Sequence, residues 1–255
     1  MYSLLTELLR DKKGGEIFTC FGAWHLFYIL LFAIIGICLY FILRGKGRGV
    51  LDKTAQILIN IAFGLYIADF FLMPLAYGEI DIEKLPFHAC TAMCVMSFLA
   101  NHSEGLAKYR TSFALLGFIS NLVYLIYPAG VMWHAVHPIS YRVVQTLVFH
   151  GVMSVYGFIV ILTERDRFSY KNCLRELVLL VCMTAWAWLG NLVYNSDERF
   201  YNWFFVVRDP FYAIPANIAP FVMPFINIAV FFGAEMLLYL IVIKASEINR
   251  SEEDI

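Results

Sequence analysis

Apolar residues in this chain come in long blocks separated by short polar segments. Seven blocks are long enough, or nearly so, for a helix to cross a hydrocarbon core about 30 Å thick. They cover about 21–43, 55–76, 85–101, 111–128, 141–163, 172–194 and 218–243, and the third is the shortest. The pattern predicts an all-α, polytopic membrane helix bundle with about seven transmembrane helices.

Composition supports a protein that lies mostly within a membrane. Hydrophobic residues make up 61% of the 255 positions and charged residues 15%, against about 25% charged residues in soluble domains. No polar region is long enough to form a separate soluble domain. We therefore predict an amphipathic N-terminal segment over 1–20, a seven-helix domain over 21–243 and a polar tail over 244–255, located in the cell membrane as a multi-pass protein.

Charge and cysteine usage exclude several classes of function. The net charge of −1 and the lack of a basic patch argue against nucleic acid as a partner. The six cysteines form no CxxC pair, which argues against a disulfide or zinc framework. We expect no cofactor and no metal site, and we expect membrane lipids as partners.

The basic residues predict which way the bundle crosses the membrane. An outside N-terminus leaves twelve lysines and arginines on the inner side and seven on the outer side. Because cytoplasmic loops carry the excess of basic residues, this count favours an outside N-terminus and a cytoplasmic C-terminus. A basic cluster near the N-terminus argues the other way.

In this orientation the polar residues of five helices fall in the outer half of the bilayer. His88 and Cys90 lie in the first turns of the third helix, and His150 lies about 13 Å into the fifth. A charge at mid-membrane costs roughly 2.5–3.5 kcal/mol, so such groups normally face the bundle interior or water. We predict a cavity open toward the outer leaflet, with a lining that comprises Asp69, His88, Asn121, Arg142, Gln145, His150 and Asn191.

Structural alternatives exist for the same residues. The three amide side chains of this set also suit hydrogen bonds between helices. Asp69 and Arg142 also suit a structural ion pair. His150 also suits a hydrogen bond to another helix. Glu235, deep in the seventh helix, has no obvious partner, so it is protonated, it bonds a neighbouring helix, or the orientation is reversed.

The start of the third helix has its own sequence signal. Pro86 suits the first helical position, where its fixed φ and missing N–H cost nothing. Asp81 and Glu83, just before it, favour the positive end of a helix dipole. We therefore predict that this helix begins near Leu85.

Two motifs resemble those of a known family. The stretch LPFHAC, over Leu85–Cys90, and the stretch YRVVQTLVFHG, over Tyr141–Gly151, are similar to motifs of the YwaF-like bacterial integral membrane proteins. That family pairs an LPLHLC-type helix start with an RxxQxxxxHG-type helix, and the similarity extends from about Val50 onward. More distantly, the chain resembles a eukaryotic ether-phospholipid acyltransferase and the androgen-induced family of membrane lipid hydrolases.

The distant resemblance implies a nucleophile and a base. Those enzymes use a cysteine or threonine early in one helix and a histidine in another, and His150 matches the histidine. The nucleophile position, immediately before His88, is Phe87 here. Cys90 lies three residues further on, roughly on the same helical face, so it is the substitute nucleophile that we expect. Its thiol would need a nearby base or cation to react.

Two functions therefore stand as hypotheses. The first is a lipid-modifying enzyme that transfers or hydrolyses acyl chains, with the catalytic set His150, Cys90 and His88. Its substrate-binding set would be Arg142, Gln145, Asn121, Asn191 and Asp69. The second is a non-enzymatic transporter, or a lipid or small-molecule binding protein, that uses the same cavity.

Overall fold

The computed structural model describes residues 16–78, 80–132 and 135–253, and helices dominate this part of the chain. Seven helices of 14 residues or more are numbered here in chain order: α1 Ala23–Leu43, α2 Arg48–Tyr77, α3 Ala89–His102, α4 Arg110–Ile126, α5 Tyr141–Thr163, α6 Cys173–Tyr194 and α7 Ala219–Glu253. Short helical turns occur in the connections, and the described residues contain no strand. The predicted all-α class is confirmed.

Six of these helices are long and apolar enough to span a membrane. The exception is α3, whose 14 residues rise about 21 Å, less than the roughly 30 Å of a hydrocarbon core. The chain is therefore a multi-pass membrane protein with six candidate spans, one fewer than the sequence pattern predicts. The predicted sidedness of the two termini stays a prediction.

Successive helices alternate in direction, so the bundle has two distinct ends. We call the end where α1, α3, α5 and α7 begin the first end, and the opposite one the second end. At the first end the backbone N–H of Phe18 donates to the carbonyl of Val136 at 2.9 Å. At the second end Arg110 of α4 pairs with Asp52 of α2 at 2.6 Å and with Glu164, which follows α5. Most of the amphipathic segment predicted over 1–20 lies outside the described residues.

Helix α5 is the centre of the bundle because three other helices close around it. It packs against α1, α2 and α4. A Cβ atom at Gly157 would come within 2.6 Å of the Phe118 Cβ of α4, and one at Gly151 would overlap the Phe32 ring of α1. Small residues at such positions let membrane helices approach closely. The core position of α5 holds His150 inside protein rather than lipid.

The start of α3 differs from the sequence prediction. The helix begins at Ala89, with His88 at the N-cap in extended conformation, so the predicted start near Leu85 and the role of Pro86 as first helical residue are wrong. Two contacts hold the chain out of the helix here. The Pro86 carbonyl accepts a hydrogen bond from Trp186 Nε1 of α6 at 2.7 Å, and the Phe87 ring covers Gly190. Tertiary contacts with α6 thus outweigh the local helix signal.

The connection between α6 and α7, residues 195–218, folds back over the first end. We call it the return loop. Its Trp203 is 1% exposed and Phe204 is also buried, whereas Tyr212 is 77% exposed. The aromatic residues between Trp203 and Tyr212 predict a segment that rests at the membrane interface. The exposure of Tyr212 agrees with that prediction, whereas Trp203 and Phe204 are enclosed by protein. Beyond the loop, α7 continues as far as Glu253, past the predicted start of the polar tail.

Candidate functional site

His150 lies at the centre of α5 and is buried. Its Nδ1 lies 2.7 Å from Asn121 Oδ1 of α4. The orientation of the amide is set by its other end, because Asn121 Nδ2 donates to the Gly117 carbonyl at 2.6 Å. An amide oxygen can only accept, so His150 Nδ1 carries a proton. In the neutral ring Nε2 is then a free acceptor, which is the form that a general base requires.

Aromatic contacts fix the plane of the same ring. Tyr124 of α4 stacks on His150 with the ring centroids 3.8 Å apart and the planes at 15°. Tyr124 follows Asn121 by three residues, so both side chains project from one face of α4. Phe149 meets the His150 ring edge to face at 5.1 Å. One helix face therefore sets both the tautomer and the orientation of the imidazole.

His88 has the opposite tautomer. Its Nδ1 accepts a hydrogen bond from the backbone N–H of Phe204 in the return loop at 3.1 Å. A ring nitrogen that accepts carries no proton, so the proton of this neutral ring is on Nε2. His88 is close enough to His150 for the two rings to interact electrostatically. The site thus contains one imidazole with an acceptor Nε2 and one with a donor Nε2–H.

Cys90 is a free, half-buried thiol in the first turn of α3. It is within electrostatic range of Tyr124, the residue stacked on His150. In the described part of the chain, Cys90 and His150 make no direct hydrogen bond. Cys94, one turn further along α3, is fully buried in the core, as expected for a packing cysteine. Tyr124 is thus the residue common to both, since it stacks on His150 and lies within electrostatic range of Cys90.

Lys84 is a residue of this site that the sequence reasoning missed. Its Nζ lies 2.9 Å from Asp69 Oδ2, and Tyr141 Oη donates to Asp69 Oδ1 at 2.9 Å. The sequence suggested an ion pair between Asp69 and Arg142, and in the structure the ion pair of Asp69 is with Lys84. Lys84 also interacts electrostatically with three of the predicted catalytic residues, His88, Cys90 and His150. Because Leu85 and His88 have extended backbone, helical spacing gave no signal for this proximity.

The remaining predicted residues are placed less centrally. Arg142 is half-buried and within electrostatic range of Tyr124. Gln145 is buried, and its Oε1 accepts a bond from Thr146 Oγ1 at 3.4 Å. Asn191 lies in α6, where it bonds both backbone groups of Trp203 in the return loop. That all seven predicted side chains line one cavity stays a prediction.

Phe87 stands at the position where the distant resemblance predicts a nucleophile. Its ring stacks on Trp186 at 4.9 Å and meets Trp203 at 4.9 Å. A Cβ atom added at Gly190 would come within 2.5 Å of the Phe87 ring. Phe87 therefore fills a close-packed aromatic cluster that joins α6, the return loop and the start of α3.

No group of three or more His, Cys, Asp or Glu side chains is arranged to hold a metal ion in residues 16–78, 80–132 and 135–253. The polar groups of the site act instead as hydrogen-bond donors, acceptors and charges. The site contains two imidazoles, one thiol and an ion pair.

Comparison with known proteins gives a family but no named relative. No curated protein and no solved structure matches the chain. Residues 20–244 match the TMEM164 family. The matched range contains α1 to α6, the return loop and almost all of the membrane-spanning part of α7, and it includes every residue of the site described above. This multi-pass membrane protein belongs to the TMEM164 family.

Proposed function

We propose that this protein is a membrane-embedded enzyme that transfers or hydrolyses acyl chains of lipids, with Cys90 as the nucleophile and His150 as the general base. The observation that carries the proposal is the hydrogen bond that His150 Nδ1 donates to Asn121 Oδ1, which leaves Nε2 as an acceptor. A thiol nucleophile, a histidine base and an orienting third group form a recurrent arrangement in acyl transfer.

The reaction proceeds in two balanced steps. His150 Nε2 takes the proton of the Cys90 thiol, and the thiolate attacks the ester carbonyl carbon of a lipid. The ester C–O bond breaks, and the leaving alcohol receives the proton from the imidazolium. Water or a second lipid hydroxyl then attacks the thioester, His150 again takes the proton, and the C–S bond breaks to restore the thiol. An acyl-enzyme divides one difficult transfer into two easier steps.

Neighbouring groups suit the charges that form in these steps. The Nε2–H of His88 is a donor for the carbonyl oxygen as it becomes negative. Lys84, within electrostatic range of Cys90, would stabilise the thiolate. Arg142, within electrostatic range of Tyr124, would attract a lipid phosphate. Catalytic hydrogen bonds are often loose before substrate binds, so the pair of Cys90 and His150 would close in the substrate complex.

The orientation of the bundle belongs to this proposal. The excess of basic residues after α1 and α5 supports a first end that faces outward. His150 lies nine residues from the start of α5, or about 13 Å from the first end. The acyl donor would therefore enter from the outer leaflet.

A chemical labelling experiment tests the proposal. The purified protein in phospholipid vesicles is incubated with an alkyne-tagged fluorophosphonate, and in parallel with defined phospholipid and lysophospholipid pools. We expect an acyl or probe adduct on Cys90, found by mass spectrometry, that disappears in His150→Ala. Cys94→Ala is the matched control, because Cys94 lies on the same helix face and should leave the adduct unchanged. An adduct that persists in His150→Ala would contradict the assigned roles.

The alternative is a lipid-binding or transport protein without catalysis. The packing of Phe87 favours it, because a bulky ring occupies the position of the relatives' nucleophile. In this case a folded protein would retain bound lipid in the same experiment, with no adduct on Cys90 and no change in the lipid pool.

A further inference from the structure

Two buried carboxylates lie toward the second end, away from the site of His150. Glu176 is in the first turn of α6 and Glu235 is in α7, and both are 0% exposed. One oxygen of Glu176, Oε1, accepts every hydrogen bond recorded for this carboxylate. The donors are Ser112 Oγ of α4 at 2.9 Å, Tyr239 Oη of α7 at 2.8 Å and Arg175 Nη2 at 3.1 Å. Three helices therefore meet at this carboxylate.

The other three carboxylate oxygens lack partners. Glu176 Oε2 and both oxygens of Glu235 have no hydrogen bond within the described part of the chain. Glu235 precedes Tyr239 by one helical turn, so both side chains project from the same face of α7. Glu235 is also within electrostatic range of Glu176. Buried polar groups are almost always paired, and buried charges need a partner more strongly still.

The charges around these oxygens do not balance. In the described part of the chain, the groups that interact with the two carboxylates are Arg175, Tyr239, Ser112 and Cys173. Arg175 is the cation of this described set, and the other three groups are neutral in their ordinary forms. With both carboxylates ionised, this one guanidinium would leave a single negative charge unbalanced. The chemistry that is missing is one positive charge that several oxygens can share.

We propose that Glu176 and Glu235 bind one hard monovalent cation, with Na⁺ as the probe, at the junction of α4, α6 and α7. The donor set consists of oxygens, namely the two carboxylates and the Tyr239 and Ser112 hydroxyls, and oxygen is the ligand that hard cations prefer. A single positive charge neutralises the site, whereas a divalent ion would leave an excess. Because a bound ion spans the oxygens that lack hydrogen bonds, it ties α7 to α6.

Thermal unfolding tests the cation site directly. The full-length protein in mild detergent is unfolded at increasing NaCl, with choline chloride holding the ionic strength constant, and the Tm is read from tryptophan fluorescence. A ligand that binds the folded state raises the Tm with its concentration, so we expect about 3 °C for each tenfold rise in Na⁺ above the Kd. Glu235→Gln should abolish this dependence, because the amide removes the charge that the ion balances.

Two further variants separate binding from general stability. Tyr239→Phe keeps the ring and removes one oxygen, so the Na⁺ concentration at half-maximal shift should rise about tenfold. Glu164→Gln changes a buried carboxylate that is already paired with Arg110, so it should lower the Tm and keep the Na⁺ dependence. A Tm that is independent of Na⁺ and changes with pH alone would assign a proton to Glu235 and overturn the proposal. So would an unchanged Na⁺ dependence in Glu235→Gln.

Discussion

At the scale of single residues, one hydrogen bond decides what each imidazole of the site can do. His150 is oriented by an amide oxygen and His88 by a backbone N–H, so the two rings carry their protons on opposite nitrogens. Neither the identity nor the spacing of the histidines contains this information. The difference depends on Asn121 and on Phe204, which reach the rings from other segments.

Asn121→Ala should remove the bond that fixes the His150 tautomer. The ¹⁵N chemical shifts of His150 should show a protonated Nδ1 and a bare Nε2 in the wild type, and a mixture of tautomers in the variant. Leaving the buried Nδ1–H without an acceptor should also cost about 1–3 kcal/mol of unfolding free energy. Asn121→Asp, which keeps an acceptor oxygen, is the control. A His150 tautomer that is the same in Asn121→Ala would contradict the assigned role of this amide.

Phe87→Cys would place a thiol where the distant resemblance predicts the nucleophile. Because the Phe87 ring packs among Trp186, Trp203 and Gly190, the change should leave a cavity and lower the free energy of unfolding by about 3 kcal/mol. Phe221→Cys, on an exposed apolar position of α7, should stay within about 0.5 kcal/mol of the wild type. Denaturant titration in detergent measures both. Equal effects of the two changes would show that Phe87 has no special packing role.

At the scale of elements, the return loop is held to the bundle by side-chain amides. Asn191 of α6 bonds the N–H and the carbonyl of Trp203, and Asn227 of α7 bonds the carbonyls of Phe204 and Phe205. These bonds give partners to buried backbone groups of a connection that is too short and irregular to pair them within a long helix. They also position the backbone N–H of Phe204, from which His88 Nδ1 accepts a hydrogen bond.

Asn191→Ala should loosen the return loop without unfolding the bundle. The backbone groups of Trp203 lose their hydrogen-bond partners, which costs about 1–3 kcal/mol for each buried group. The rate of amide hydrogen exchange at Trp203 and Phe204 should therefore rise about tenfold or more. Asn101→Ala is the control, since that amide bonds Tyr156 on the opposite side of the bundle. Exchange that rises equally in both variants would indicate general destabilisation instead.

The exposed part of the return loop should respond to acid through Asp209. Its carboxylate accepts the backbone N–H groups of Phe211, Ile214 and Ala213, and these bonds lower the pKa of Asp209. Because the pKa of Asp209 is lowered in the folded loop, its hydrogen bonds stabilise the loop fully above the ordinary aspartate pKa of about 3.9. This stabilisation is lost as the pH falls through the lower pKa that Asp209 has in the folded protein. The amide resonances of Ala213 and Ile214 should therefore move below about pH 4. Asp209→Asn should give a flat profile.

At the scale of the whole molecule, polar chemistry is divided between the two ends of the bundle. The histidines, Cys90 and the pair of Lys84 and Asp69 lie toward the first end. A separate network of Arg110 with Asp52 and Glu164 closes the second end. Helix α5 connects the two regions, and its buried apolar side chains keep them apart.

The proposed sidedness makes a labelling prediction for the intact membrane. A cysteine at Tyr212, in the return loop, should react with a membrane-impermeant maleimide added to sealed cells. A cysteine at Lys46, between α1 and α2, should react after the membrane is permeabilised. Both are made in a background in which the six native cysteines are replaced by alanine. The reverse pattern would place the first end, and with it His150, on the cytoplasmic side.

The sequence by itself determined the class of the protein and most helix bounds. A long apolar block in a membrane must pair its backbone N–H and C=O groups within its own helix, so the ends of the block predict the ends of the helix. The fifth predicted helix, 141–163, has the same bounds as α5. The same reasoning singled out His150, Asn121 and Cys90, because polar side chains are costly in lipid wherever they occur.

Only the tertiary structure decided the partners of these side chains. Lys84 pairs with Asp69, 15 positions earlier in the chain, and Phe204 reaches His88 from more than a hundred residues away. Contacts with α6 delay the start of α3 to Ala89. Helical periodicity specifies which residues share a face of one helix. It does not specify which face of another helix, or which loop, packs against them, because that choice depends on the fit of the whole bundle.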